Sequence, residues 1–181
     1  MAGAGSSSAV GTRGRPARVK RVVLLVNGQA RELELPVRTT LAEALREHLG
    51  LTGTKVGCNR AECGSCCILV DGGAVFACTV LAVEAGGRRI ETIEGLERDG
   101  VLHPLQQAFI DFDALQCGIC IPGMIMSVKG LLDRTLEPSA EDVNQAIGGN
   151  LCRCGTYPNT VKAALAAARV LRQGAGRSGD A

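Results

Sequence analysis

Apolar and polar positions along the chain change rhythm once, near residue 100. Before that point the pattern is that of strands and turns. Val22-Val23-Leu24-Leu25-Val26 is followed by Asn27-Gly28, and then Leu33 and Leu35 alternate with Glu32 and Glu34. Two such runs around Asn-Gly predict a β-hairpin, because that dipeptide readily takes the left-handed conformation a tight hairpin turn needs. Thr40-Leu41-Ala42-Glu43 reads as a capping box opening a short helix, with Leu41, Leu45 and Leu49 on one face and Gly50 at its end. Cys67-Ile68-Leu69-Val70 and Ala74-Val75-Phe76 flank Asp71-Gly72-Gly73, a second hairpin, and Ile90 to Ile93 can supply a last strand.

After residue 100 the period becomes helical. Leu102, Leu105, Gln106 and Phe109 mark one helix. Pro122 suits the first turn of another, with Met124, Ile125, Val128, Leu131 and Leu132 on one face. Ser139-Ala140-Glu141-Asp142 opens a third, closed by Gly148-Gly149, and Pro158 opens a fourth, Ala-rich helix ending near Arg172. The predicted class is therefore α+β. Hairpin, helix, loop, hairpin is the order of a ferredoxin-like β-grasp, assigned to residues 20–97. A four-helix bundle follows over residues 98–173. The Gly-, Ser-, Ala- and Arg-rich stretch 1–19 and the segment 174–181 are expected to be tails, the first disordered.

Composition narrows the function classes. Hydrophobic residues make up 46% but aromatics only 2% of the 181 residues, so the core is short of large side chains and metal ligation is a natural staple. A net charge of +2, without a basic stripe or interleaved aromatics, gives no reason to expect nucleic acid. No apolar signal-peptide segment precedes Val22, and no run approaches a membrane span of roughly 18 residues. An odd count of nine cysteines without a secretory leader fits a reduced, cytoplasmic chain whose thiols bind metal rather than a disulfide framework.

Eight of the nine cysteines form two sets of four: Cys58-x4-Cys63-x2-Cys66-x11-Cys78, and Cys117-x2-Cys120-x31-Cys152-x1-Cys154. The opening of the first is the plant-type spacing for a [2Fe–2S] cluster, which needs four thiolates on two irons. Gly57 and Gly64 are expected to let the backbone wrap close to sulfur at positive φ. The second set is expected at helix ends, where exposed N–H groups and the helix dipole favour thiolates. Cys152-x-Cys154 requires a bend, which Gly155 can supply. Structural zinc favours paired C-x2-C knuckles, and neither set has that form. Cys67 is read as a small core residue of the strand leaving the metal loop. His48 and His103 are isolated and read as surface residues, His48 near a helix C-terminus. No catalytic triad, Cys-His pair, phosphate loop or dinucleotide fingerprint occurs.

Three stretches carry a resemblance: Gly57-Cys58 with Glu62-Cys63-Gly64-Ser65-Cys66, Gln116 to Met124, and Gly149 to Tyr157. They resemble the iron–sulfur subunit of the molybdenum hydroxylases, the xanthine oxidase family, which includes carbon monoxide dehydrogenase, aldehyde oxidoreductase and isoquinoline-type oxidoreductases. The resemblance covers about residues 20–172 and all eight cysteine positions. It implies an outer cluster on Cys58, Cys63, Cys66 and Cys78 and an inner cluster on Cys117, Cys120, Cys152 and Cys154. The inner one would lie beside a molybdopterin cytosine dinucleotide held by a large partner subunit, with Gln116 and Cys154 against the pterin. Single electrons would leave molybdenum through the inner and then the outer cluster. They would go on to FAD in a medium subunit, or to an external acceptor, within a dimer of hetero-oligomers. Ile119 and Ile121 stand where the family often has Phe and Thr, which makes that stretch more apolar. The alternative is a free-standing two-cluster ferredoxin acting as a mobile carrier.

Overall fold

A computed structural model of the chain describes residues 18–177; the tail segments 1–17 and 178–181 lie outside the described residues. Strands β1 (Val19–Val26) and β2 (Gln29–Pro36) form the expected hairpin, and β1 already begins inside the stretch assigned to the tail. Asn27 and Gly28 both have positive φ, 49° and 78°, the geometry of a two-residue hairpin turn that matches strand twist. Val22, Leu24 and Val26 of β1 and Leu35 of β2 point into one core.

Helix α1 (Leu41–Glu43) has the predicted capping box. The Thr40 hydroxyl accepts the Glu43 N–H, and the Glu43 carboxylate accepts the Thr40 N–H. It then widens over Ala44–His48 into a π-helical turn, in which the Leu49 N–H donates to the Ala44 carbonyl, and Gly50 at φ 70° ends it. β3 (Cys67–Val70) and β4 (Gly73–Phe76) form the second hairpin around Asp71-Gly72, so Gly73 belongs to the strand rather than the turn. β5 is Arg89–Glu91, and Ile93–Gly95 is a 3-10 turn instead of the end of a strand. The five strands run in the order β2-β1-β5-β3-β4, with β1 and β5 parallel and the other pairs antiparallel. α1 packs on one face of this sheet, the arrangement of a β-grasp.

All four residues of β3 are buried, and they alternate between two cores. Ile68 and Val70 face α1, whereas Cys67 and Leu69 face the helices that follow. A continuous apolar run is what a strand covered on both faces requires. Those helices are α2 (Pro104–Asp111), α3 (Ile121–Leu132), α4 (Ala140–Ile147) and α5 (Tyr157–Arg177). α3 lies directly on β3 and is buried almost all round, not on one face as its spacing predicts. α5 packs on α2 and α4 through Ala163, Ala164, Ala167 and Ala168, and it runs past the expected end near Arg172. His103 is not a free surface residue. It caps α2, its Nδ1 accepting the Leu105 N–H at 3.2 Å, and burial together with Lys129 holds its pKa below the usual histidine range. Among the described residues no helix is long and apolar enough to cross a membrane.

The close approach of α3 to the first cysteine loop depends on two glycines. A Cβ on Gly123 would stand 2.3 Å from the Gly64 carbonyl oxygen, and one on Gly64 would stand 2.4 Å from that of Gly149. The two halves of the molecule thus meet beside ligands of both cysteine sets, at Gly64 next to Cys63 and at Gly123 and Gly149 between Cys120 and Cys152.

Candidate metal centres

The first set lies on an irregular loop between the π-helical turn and β3. Arg46 anchors its leading segment, donating to the carbonyls of Thr52 and Thr54 at 3.0 and 2.8 Å. The loop then folds around sulfur by means of two non-glycine residues in the left-handed region, Asn59 at φ 56° and Ala61 at φ 60°. These turn successive N–H groups inward. Those of Arg60, Glu62 and Cys63 donate to Cys58 Sγ at 3.4, 3.3 and 3.4 Å, and that of Ala61 donates to Cys78 Sγ at 3.4 Å. Gly64 has the expected positive φ, 68°, but Gly57 does not. Gly57 is required for room instead, since a Cβ there would lie 2.9 Å from Cys63 Sγ. Cys66 and Cys78 are buried at the inner side of the loop.

The second set is assembled from helix ends. Cys120 is the N-cap of α3 and is buried, while Cys117 precedes it across a turn at Gly118, φ 86°. Cys152 and Cys154 lie between α4 and α5. The required bend is present: Gly155 has φ 78° and its N–H donates to the Cys152 carbonyl at 3.4 Å. Tyr157 fixes this turn from the side, its hydroxyl accepting the Cys152 N–H at 2.7 Å and donating to the Asn150 carbonyl at 3.0 Å. Gln116 is exposed, and its amide has no hydrogen-bond partner among the described residues.

Both sets combine one thiol that ionises easily with one that does not. The Arg60 and Glu62 N–H groups bring Cys58 down to about 7. Burial pushes Cys66 up to about 12, and the neighbouring Cys78 and Cys63 thiols add to the rise. At Cys152 burial acts upward, but hydrogen bonds from Thr156, Cys120 and Cys154 outweigh it and leave the thiol at about 7. Cys120 is pushed up to about 12 by burial and by Cys152 and Cys117 beside it. A thiol held that high becomes a thiolate only when a cation offsets its charge. Thiols of the first set face one another in two pairs, Cys58 with Cys63 and Cys66 with Cys78, which suits two irons bearing two thiolates each, and in the second set Cys120 faces Cys152. Among the described residues no three metal-ligating side chains gather closely enough for a single ion. Paired thiols, N–H groups aimed at sulfur and a glycine cradle at Gly57 fit a [2Fe–2S] group in the first set. Paired thiols at a helix N-terminus fit one in the second.

The two sets touch. The Leu151 N–H donates to the Cys63 carbonyl at 2.9 Å, and Asn150 Nδ2 donates to the Gly64 carbonyl at 2.9 Å. Sequence reasoning did not give roles to Asn59, Ala61, Ser127, Asn150 or Tyr157. Asn59 carried a usable signal, because Asn tolerates the left-handed region. Ala61 carried none. Cys67 is a core residue as expected, 2% exposed and in contact with Ser127.

Comparison with known proteins places these features. Residues 24–96 match a 2Fe-2S iron-sulfur cluster binding domain, and residues 92–165 match a [2Fe-2S] binding domain. The nicotine 6-hydroxylase small subunit of Paenarthrobacter nicotinovorans is 48% identical over 140 residues, which cover 77% of this chain and 84% of that protein. The nicotinate dehydrogenase small FeS subunit of Eubacterium barkeri is 43% identical, over 74% of this chain and 85% of that one. Among solved structures, quinoline 2-oxidoreductase from Pseudomonas putida 86 superposes with a TM-score of 0.82 at 42% identity, covering 86% of this chain and 98% of the matched one. The aldehyde oxidoreductase of Desulfovibrio desulfuricans gives 0.82 at 41% identity, over 85% of this chain but 17% of that much longer one. The chain belongs to the iron–sulfur subunits of the multi-subunit molybdenum hydroxylases, the xanthine oxidase family.

Proposed function

We propose that the chain relays single electrons from a molybdopterin centre on a large partner subunit to FAD on a medium subunit, or to an external acceptor. Cys58, Cys63, Cys66 and Cys78 hold the outer [2Fe–2S] cluster, within a β-grasp domain assigned to residues 20–97. Cys117, Cys120, Cys152 and Cys154 hold the inner one, within a four-helix bundle assigned to residues 98–173. When bound, the clusters supply reversible one-electron chemistry. The chain's residues bind them, aim N–H groups at their thiolates and hold the two sites in contact.

The observation that carries this reading is the asymmetry of the second site. Its inner side is closed by Cys120 and by the contact of Asn150 and Leu151 with the first loop. Its outer side presents Gln116, Cys117, Ile119 and Leu151 to solvent, with Ile119 51% and Leu151 60% exposed. An unpartnered amide beside exposed apolar side chains suits a partner surface rather than water. Gln116 can both donate to and accept from a pterin edge there, and Cys154, on the turn between α4 and α5, is the second residue assigned to the pterin. The cofactor is molybdopterin cytosine dinucleotide on this reading, the assembly a cytoplasmic dimer of hetero-oligomers, and the substrate is chosen by the large subunit.

Purification of the native protein tests it. A complex with a larger molybdenum-containing chain, and about four irons with little zinc per copy of this chain, is the expected result. Elution of the iron-loaded chain alone would favour the mobile ferredoxin, and stoichiometric zinc would refute the cluster assignment.

A further inference from the structure

Four buried groups from three separate segments form one hydrogen-bonded line between the cysteine sets. Gly64 lies between the ligands Cys63 and Cys66, Cys67 follows Cys66, Asn150 precedes Cys152 by two residues, and Ser127 lies on α3 after Cys120. Ser127 Oγ is 2.8 Å from Asn150 Oδ1 and 3.2 Å from Cys67 Sγ, and Asn150 Nδ2 is 2.9 Å from the Gly64 carbonyl oxygen. Asn150, Ser127 and Cys67 are 1%, 7% and 2% exposed, so water cannot substitute for any member.

The direction of every bond follows from one fixed point. A backbone carbonyl only accepts, so Gly64 forces the amide nitrogen of Asn150 toward itself and the amide oxygen toward Ser127. The Ser127 hydroxyl has one proton, and the carbonyl oxygen at 2.8 Å is a better acceptor than sulfur at 3.2 Å. Cys67 Sγ lies against the same hydroxyl as its weaker acceptor. The line therefore runs from the Ser127 hydroxyl, seated against Cys67 Sγ, to the Asn150 amide oxygen, and from the Asn150 amide nitrogen to the Gly64 carbonyl. The Leu151 N–H to Cys63 carbonyl bond runs beside its last link.

We propose that Asn150, oriented by Ser127 and Cys67, is the positioning residue that sets the separation and mutual orientation of the two iron–sulfur sites. This rests on the cluster assignment above. Each site has its own four cysteines, so losing the line leaves both able to load iron. What it removes is the side-chain constraint on how one loop sits against the other. A buried amide that only filled space would have no such effect.

The test uses the assembled enzyme with both clusters reduced. Iron content and the electron paramagnetic resonance signal of each cluster report loading, and the splitting from magnetic coupling between the clusters reports their geometry. Asn150→Asp keeps the shape and the acceptor for Ser127 but turns a carboxylate oxygen on the Gly64 carbonyl. It is expected to retain both signals and to shift the splitting. Ser127→Ala is expected to give a smaller shift, and it carries the test if Asn150→Asp fails to load iron. Cys67→Ala is expected to shift the splitting least, and Cys67→Ser, which restores a polar partner for the Ser127 hydroxyl, to return it toward the native value. Native splitting in an iron-loaded Asn150→Asp enzyme, or in Ser127→Ala when Asn150→Asp does not load, overturns the proposal. If the unaltered enzyme shows fewer than two iron–sulfur signals, it is the functional reading that fails.

Discussion

The two cysteine sets reach the same chemistry by opposite routes. The first is made by local backbone. Three ligands fall within nine consecutive residues, and the loop bends through left-handed Asn59 and Ala61 to bring four N–H groups onto two sulfurs. The second is made by packing. Cys120 sits on a helix N-terminus, while Cys152 arrives 32 residues later on a turn held by Tyr157. One site stores its geometry as conformational strain in a short segment. The other stores it in the docking of helices, and its left-handed positions are glycines, Gly118 and Gly155. The first should therefore be sensitive to its own loop, and the second to residues distant in sequence.

The largest expected effects come from removing a ligand. Cys63→Ser should delete the first centre and Cys152→Ser the second, each lowering iron from about four to about two per chain and each leaving the other's resonance signal. Metal analysis with spectroscopy checks this. Loss of both signals from either substitution, in a folded protein, would break the comparison by making one site depend on the other's metal.

Close approach comes next. Gly123→Ala forces a Cβ to 2.3 Å from the Gly64 carbonyl oxygen, a backbone atom that cannot swing aside. Overpacking of this kind typically costs about 1–3 kcal/mol. The unfolding midpoint in denaturant should fall accordingly. Because α3 carries Cys120 at its N-cap, the second centre should be disturbed along with the contact to the first. An unchanged midpoint would mean that α3 is free to move off the loop.

These differences explain which parts were legible. The hairpin at Asn27-Gly28, the Thr40 capping box and the first three ligands are encoded within a few residues, and the local pattern was sufficient for each. Local pattern misled where tertiary context decides. Leu41, Leu45 and Leu49 do face one core, but the helix reaches Leu49 through a π-helical turn in which Leu49 bonds back to Ala44, and the spacing does not announce that turn. α3 reads as amphipathic because five large apolar residues share a face. Its small residues are buried as well, since β3 covers one side and helices the other. The pattern puts the end of α5 near Arg172, but a glycine costs a helix only about 1 kcal/mol, and α5 continues through Gly174 and Gly176 to Arg177. The bond from Asn150 to Gly64 spans 86 residues and leaves no trace in any local window.

A third prediction isolates the packed site. Tyr157→Phe keeps the ring in the helical core but removes the hydroxyl that accepts from Cys152 and donates to Asn150. Leaving a partly buried N–H and carbonyl without partners costs about 1–3 kcal/mol. The turn carrying Cys152 should loosen, so the resonance signal of the second centre should broaden or shift while that of the first stays unchanged. A change confined to the first centre would contradict the assignment of Tyr157 to the second.

The smallest effect is a contrast in sign, and it bears most directly on how the two sites store their geometry. An L-residue in the left-handed region costs about 1–2 kcal/mol, whereas glycine adopts it freely. Replacing alanine by glycine also loosens the unfolded chain, which costs about 0.4–1 kcal/mol of stability. At Ala61, φ 60°, Ala61→Gly relieves strain by more than it loses in entropy, so stability should rise slightly. At Gly118, φ 86°, and Gly155, φ 78°, nothing lies within 4 Å of an added Cβ, so alanine meets no clash there and only the backbone term acts. Gly118→Ala and Gly155→Ala should each lower stability by up to about 1–2 kcal/mol, less the entropy gained. The measurement is the denaturation midpoint of the three variants side by side. A loss of stability in Ala61→Gly would show that Asn59 and Ala61 sit in the left-handed region without strain. The first loop would then be held by its contacts, as the second is.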